Sequence, residues 1–225
     1  MNSLRSAVQD ELKAIPEADR LGSLERCASL YTQTQTADAL YLIEEGLIKL
    51  TRLNEGGGKI ILVIRGPGQL VGEECLSEGT QPYYTEAVVL TAAKVVRIPR
   101  EAVLRDLQNS NQLAGALVNY ALNGKFDLAE KVELLCLHDV EHRILHYLGE
   151  LANLLPAANG ESEHRIPITQ LELADLIGAT RETTSTTLNQ LERRGLVKLS
   201  RRLMTVPSLA LLKENLGSRE AVASQ

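Results

Sequence analysis

The residues best suited to chemistry on a partner lie between positions 169 and 206, and they suit recognition of a polyanion rather than catalysis. Arg181 and Glu182 open a segment that reads as a helix, with Ser185, Thr186 and Asn189 following on the same outer face. An arginine can fork two donors onto O6 and N7 of guanine, and a glutamate can accept from N4 of cytosine. Both stand in the first turn, the part of a recognition helix that reaches deepest into a major groove. Further on, Ser200-Arg201-Arg202 separates Leu196-Val197-Lys198-Leu199 from Leu203-Met204-Thr205-Val206. That pattern predicts a hairpin with two arginines near its tip and Lys198 in its first strand, placed to touch phosphates. From Ile177 to Val206 the basic residues are Arg181, Arg193, Arg194, Lys198, Arg201 and Arg202, and the acidic ones are Glu182 and Glu192, a local balance of +4 in a chain of net charge −5. Local positive charge is what contact with phosphate demands.

The elements that must position these residues are legible too. Thr169-Gln170-Leu171-Glu172 is a capping box, in which hydroxyl and carboxylate satisfy each other's orphan backbone donors. It predicts a short helix to Ile177 with Leu173, Ala174 and Ile177 inside. Gly178 can supply a turn, and Thr180 can cap the next helix, Arg181 to Arg193, whose inner face is Thr184, Leu188 and Leu191 at i, i+4 and i+7. Helix, glycine turn, helix and basic hairpin form the layout of a winged helix-turn-helix. The expected DNA-contact set is Thr169, Thr180, Arg181, Glu182, Ser185, Thr186, Asn189, Lys198, Arg201 and Arg202.

Upstream, residues 19 to 98 read as short strands: Ala39 to Ile43, Leu47 to Thr51, Lys59 to Ile64, Ala87 to Leu90 and Lys94 to Ile98. Glu44-Glu45-Gly46, Asn54 to Gly58 and Gly66-Pro67-Gly68 supply turns between them. Such spacing without intervening helices predicts a β-sandwich or barrel, preceded by a helix over Ser3 to Ala14. Pro99 suits a helix start. A short helix then leads to a long one, about Asn111 to Leu137. Its apolar residues Leu113, Leu117, Tyr120/Ala121, Gly124, Leu128, Val132 and Leu135 recur near a 3.5 period, the seam of a two-stranded coiled coil. A dimer interface is therefore expected on Leu113, Leu117, Ala121, Leu128, Val132 and Leu135. His138-Asp139 reads as a hinge, with Asp139 capping a helix over Val140 to Leu155 and a loop holding Pro156 and Asn159-Gly160 after it. These readings divide the chain into 1–108, 109–138 and 139–225, an α+β protein.

Several function classes are excluded. No apolar run approaches 18 residues, so no membrane span is expected, and the first nine residues carry no secretory apolar stretch. Cys27, Cys75 and Cys136 are scattered, with no CxxC pair for a zinc knuckle or an iron–sulfur cluster; free thiols fit a reducing cytoplasm. With no Trp and one Phe, stacking on single strands has little support. No catalytic constellation emerges, so the chain is not expected to be an enzyme, and no Walker loop or strand-following GxGxxG is found. His138, His142 and His146 recur at i, i+4 and i+8, a spacing at which two histidines can ligate a metal. A surface helix near the hinge is the favoured explanation of them, and no metal site is assigned.

The run from Ile168 through Val197 resembles the helix-turn-helix of the Crp/Fnr family (cyclic-AMP receptor protein and fumarate–nitrate regulator) of bacterial transcription regulators. Asp139-Val140 with Arg143-Ile144 is similar to that family's hinge helix. Ala39 to Gly46 and Gly66 to Glu73 are similar to its cyclic-nucleotide-binding β-roll. The resemblance implies a homodimer formed through the long helix, double-stranded DNA with a palindromic operator as partner, contact with RNA polymerase, and a sensor domain. Arg181-Glu182 match the base-reading pair of the cyclic-AMP type, whose second reading arginine is replaced by Thr186. The run Arg181 to Asn189 is also similar to the carbon-monoxide-sensing branch. The implied effector pocket comprises Gly72, Glu73, Cys75, Tyr84 and Thr85. Its cofactor or effector is left open, because the arginine that would neutralise a cyclic phosphate is missing from Pro82-Tyr83-Tyr84-Thr85. Cyclic AMP is therefore not expected. The alternative is a small-molecule, redox or haem sensor of the same fold whose DNA binding depends strictly on an effector or is lost.

Overall fold

A computed structural model of the chain describes residues 4, 6–79, 81–155 and 163–223, with side chains described as far as residue 216. The chain folds as two compact units, Met1–Ala129 and Glu130–Gln225.

The first unit opens with helix α1 (Ser6–Lys13), which buries Val8 and Leu12. Eight strands follow: β1 (Asp19–Leu24), β2 (Ser29–Tyr31), β3 (Ala39–Glu45), β4 (Ile48–Leu53), β5 (Lys59–Arg65), β6 (Leu70–Val71), β7 (Glu86–Val89) and β8 (Ala93–Pro99). They form two antiparallel four-stranded sheets, β1-β8-β3-β6 and β2-β7-β4-β5. The five strands anticipated by alternation and β-branching are all present. The three that are new are short or polar: β1 reads Asp-Arg-Leu-Gly-Ser-Leu, and β6 has two residues. A bulge in β5 pairs Leu50 with Val63 but Thr51 with Ile61, with Leu62 as the extra residue. Helix α2 (Arg100–Asn109) leads to α3 (Asn111–Leu137), the 27-residue helix expected from the pattern.

The seam assigned to α3 needs correction. Leu113 and Leu117 are buried in the roll's own core, together with Tyr120, so they face the roll and not a partner. The accessible apolar residues are Val118, Leu122, Phe126, Leu128 and Val132, with Phe126 65% exposed, beside exposed Ala121. Both faces of α3 carry apolar residues at helical spacing. A 3.5 period therefore selects a stripe without saying which one the chain's own core consumes. A straight helix of 3.6 residues per turn also drifts from a 3.5 pattern by about 20° per heptad.

In the second unit, α4 (Val140–Leu154) is capped by Asp139, whose carboxylate accepts from His142 N–H. Strand β9 (His164–Ile166), helices α5 (Gln170–Ile177) and α6 (Arg181–Arg193), strands β10 (Lys198–Ser200) and β11 (Leu203–Val206), and helix α7 (Leu209–Ala223) complete it. The wing is a three-stranded sheet, β10-β11-β9, where the sequence pattern had indicated two strands. The loop expected at Pro156 and Asn159-Gly160, and Ser3 of the first helix, lie outside the described residues. Among the described residues no helix is long and apolar enough to cross a membrane.

Gly46, in the β3–β4 turn, has φ +84°, and a Cβ there would stand 2.3 Å from the Ala92 carbonyl oxygen. Gly57 has φ +78° but open space around it. Gly57→Ala is expected to cost about 1 kcal/mol, from the left-handed backbone alone. Gly46→Ala adds a backbone clash and is expected to cost on the order of 3 kcal/mol or more. Urea unfolding of the two variants checks the difference.

Candidate nucleic-acid interface and sensor site

The helix-turn-helix is assembled as its local sequence requires. Thr169 Oγ1 accepts from the Glu172 N–H (3.1 Å), and Glu172 Oε2 accepts from the Thr169 N–H (3.0 Å), completing the capping box. Helix α5 buries Leu173, Ala174, Leu176 and Ile177, then ends at Gly178 in the left-handed conformation (φ 64°). Only glycine takes that backbone without strain, and a Cβ would lie 2.8 Å from Leu135 Cδ2. Thr180 caps α6 by accepting from Thr183 N–H (3.2 Å). Thr184, fully buried, donates its hydroxyl to the Thr180 carbonyl (2.8 Å), so its polarity is absorbed inside the helix. Leu188 and Leu191 complete the inner face.

This packing leaves Arg181, Glu182, Thr186 and Asn189 exposed on α6, with Ser185 partly covered. Arg201 and Arg202 form the two-residue tip of the β10–β11 hairpin, and Arg202 adopts φ 60°. Both are exposed. The remaining expected contacts divide. Thr169 is half-buried and occupied by its capping box. Lys198 is exposed, but its Nζ pairs with Glu163 (2.5 Å), which holds the Glu163 carboxyl below its usual range. Arg194, counted in the local charge, is engaged by Glu141 (2.5 Å) and Asn215 (2.8 Å). Glu192 accepts from Leu199 N–H (2.8 Å) and thereby ties α6 to the wing. Among the described residues no ion pair involves Arg181, Arg201 or Arg202, so three cations stand available for phosphate or base edges.

Sequence reasoning missed the residues that hold the turn. Lys131 of α3 donates to the Leu176 carbonyl (2.7 Å), and Arg143 of α4 donates to the Ile177 carbonyl (2.6 Å). The available signal was a lysine on an otherwise apolar helix face.

In the roll, four of the five expected sensor residues gather, while Tyr84 reaches the site only through its backbone N–H, which donates to Glu74 Oε1 (3.2 Å). Gly72 (φ +87°) precedes a short 3-10 turn, Glu73–Leu76, and has the Ala39 carbonyl 2.9 Å from where a Cβ would sit. Glu73 and Cys75 lie in that turn. Desolvation raises the Glu73 carboxyl to about 7, with the like charge of Glu74 adding to the rise and Arg65 opposing it. Burial, reinforced by Glu73 and Glu74, pushes the Cys75 thiol up to about 12. It is therefore a protonated core residue near neutral pH. The hydroxyls of Thr85 and Tyr31 lie buried near each other, with no hydrogen-bond partner beyond that pair among the described residues. Tyr84 requires correction. It is half-exposed, with the Arg52 guanidinium stacked 3.8 Å above its ring. Its neighbour Tyr83 turns inward instead, stacking on Tyr31 at 3.7 Å and donating to the Ala39 carbonyl (2.9 Å). Arg65, buried at the end of β5, pairs with Asp127 of α3 (2.8 Å). His138 and His142 stack at 3.9 Å, while His146 faces Glu130 (3.7 Å). Among the described residues no group of three or more side chains is placed to hold a metal ion.

Thr169→Ala removes the cap of α5 and is expected to cost about 1 kcal/mol in urea unfolding. Glu73 titrates near 4.5 in the unfolded chain and near 7 in the fold, so the folded state binds more protons between those values. Stability then falls as pH rises from about 4.5 to 7 and stays lower above. Glu73→Gln removes that fall and is expected to be more stable than the parent by about 3 kcal/mol at pH 8, with the difference vanishing near pH 4.

Two family descriptions match the chain: a Crp-like helix-turn-helix domain over residues 142–214 and a cyclic nucleotide-binding domain over residues 22–110. The chain is 29% identical over 186 residues to the Cyclic AMP receptor protein of Thermus thermophilus, covering 82% of each. It is similar in structure to a CRP-family transcriptional regulator, also from Thermus thermophilus (TM-score 0.75, 26% identity, 88% of this chain and 97% of that one). FixK2 from Bradyrhizobium japonicum shares the fold (TM-score 0.76, 20% identity, 88% of this chain and 96% of that one).

Proposed function

The chain belongs to the Crp/Fnr family of transcription regulators, and from that premise we propose that it acts as a homodimer reading a two-fold DNA operator. The observation that carries this reading is the set of free cations in one winged helix-turn-helix: Arg181 in the first turn of α6, and Arg201 and Arg202 at the wing tip. Arg181 and Glu182 read base edges, Ser185, Thr186 and Asn189 add contacts, and the wing arginines hold phosphates. Thr180 contributes at the entry to the helix, with Thr169 and Lys198 at the margin.

The second copy covers the exposed stripe of α3. Val118, Ala121, Leu122, Phe126, Leu128 and Val132 put an apolar face in water along a helix whose opposite face is already used. A two-fold partner is the symmetric way to bury such a face, and it presents two reading helices to a palindrome. Residues 1–108 then act as the sensor, 109–138 as the dimerising helix and 139–225 as the DNA-binding domain. RNA polymerase is the further partner, the regulator being cytoplasmic and without catalytic activity of its own.

The sensor does not take cyclic AMP in this reading. Tyr84, at the position where a phosphate-binding arginine is expected, faces outward under Arg52. Nη1 of the buried Arg65 guanidinium pairs with Asp127 while its Nε has no partner among the described residues, and Glu73 and Glu74 repel an anion. Without a compensating cation a buried phosphate is costly. The buried hydroxyls of Tyr31 and Thr85, with no partner beyond each other, favour an uncharged polar effector over none. That keeps effector-dependent DNA binding as a second reading.

Fluorescence anisotropy on the best-bound duplex tests the assignment. Arg181→Ala is expected to lose about 1–3 kcal/mol and to relax the preference at one base pair, whereas Arg202→Ala weakens all duplexes alike and lowers the salt slope by about 1. If Arg181→Ala bound every single-base variant of the site as tightly as the parent does, the base-reading role would be wrong.

A further inference from the structure

We infer that Lys131 and Arg143 are positioning residues that set the orientation of the reading helix by gripping the turn in front of it. The inference rests on the DNA-reading role proposed above and concerns residues that make no DNA contact themselves.

The last carbonyls of a helix have no intrahelical donor and carry the negative end of its dipole. In α5 the Ala174 carbonyl is satisfied by the Ala179 N–H (3.1 Å). The carbonyls of Leu176 and Ile177 are taken by cations from two other helices, Lys131 Nζ at 2.7 Å and Arg143 Nη1 at 2.6 Å. The next residue, Gly178, lies against Leu135, which is one helical turn beyond Lys131 on α3. Three consecutive residues, 176 to 178, are thus held by three side chains from α3 and α4. Arg181 begins α6 only three residues later, so any rotation of this turn is carried directly to the side chain that reads a base.

Lys131 is an unfavourable choice for closing a helix end on stability alone. It is 4% exposed, and its ammonium faces Arg143 and Tyr147 of α4, with the Tyr147 hydroxyl at 3.4 Å and the ring centroid at 5.0 Å. Glu130, its neighbour on α3, faces His146 of α4. Desolvation and the like charge of Arg143 lower the Lys131 pKa to about 8. A methionine would fill the same space without burying a charge. What it would not supply is a directed donor to one particular carbonyl, and buried polar groups of this kind serve to select one arrangement rather than to add stability.

Stability and positioning then respond to pH in opposite directions. The unfolded lysine titrates near 10.5, so between about 8 and 10.5 the fold has released a proton that the unfolded chain still holds, and the fold gains stability as pH rises. The grip is strongest with the ammonium charged and weakens over the same range.

The full-length protein and its K131M and K131R variants decide the matter through Kd values on the best-bound duplex and on a scrambled duplex, at pH 7 and pH 9. K131M is expected to keep its affinity for scrambled DNA and to lose about tenfold or more in discrimination, and K131R to recover most of that loss. Discrimination by the parent is expected to drop several-fold from pH 7 to pH 9 while its urea midpoint rises, and K131R is expected to be flat in discrimination. K131M with parental discrimination, or identical pH profiles for the parent and K131R, overturns the inference. Should K131M fail to fold, the comparison of K131R with the parent still decides. If the parent itself discriminates between no duplexes, the DNA-reading role has failed instead. The grip is then judged by amide hydrogen exchange at Gly178 to Glu182, where exchange in K131M no faster than in the parent overturns it.

Discussion

A helix must stop within two residues and restart in a new direction, and its last carbonyls must find donors as it does so. That constraint, at the end of α5, organises the second unit. Gly178 supplies the left-handed backbone, Ala179 closes one hydrogen bond, and Lys131 and Arg143 close the next two. With the end of α5 satisfied, Thr180 is free to cap α6, and Thr184, Leu188 and Leu191 seat it. Arg181 and Glu182 are then presented to solvent as the first turn of a helix that cannot easily rock. Glu192 extends the same order to the wing through Leu199.

Helix α3 serves more than one neighbour. Leu113, Leu117 and Tyr120 complete the core of the roll, Asp127 receives Arg65, and Lys131 and Leu135 meet the turn before α6. Its other face is apolar and exposed. A helix used on all sides has no single amphipathic signature, which explains why its existence and bounds were legible from the sequence and its exposed face was not. The capping box at Thr169, the glycine turn, the inner face of α6 and the hairpin arginines were legible because each depends on residues a few positions apart. Lys131, Arg143 and the Lys198–Glu163 pair depend on contacts between distant segments, and neither periodicity nor local charge carries that information. The same holds for the two adjacent tyrosines in the roll. Nothing in the sequence separates Tyr83 from Tyr84, and only the packed structure shows that Tyr83 stacks on Tyr31 and Tyr84 lies under Arg52.

The roll keeps the glycine and glutamate of a nucleotide-binding turn while rearranging its charges. Glu73 is raised towards neutrality by desolvation, Arg65 is engaged by Asp127, and the hydroxyls of Tyr31 and Thr85 lie buried with no partner but each other. In the proposed reading this arrangement disfavours a cyclic phosphate and leaves room for a neutral polar molecule. It also joins β5 to α3 through an ion pair whose guanidinium is buried.

Reading of DNA by a two-fold dimer is tested most directly by selection from a randomised duplex library with the purified protein, no ligand added, at moderate salt. A two-fold dimer predicts an enriched motif with two-fold symmetry, its half-sites about 10 base pairs apart, centre to centre, as two reading helices on one face of the duplex require. Enrichment of a single half-site without symmetry would contradict it, whereas enrichment of no motif would favour the effector-dependent reading.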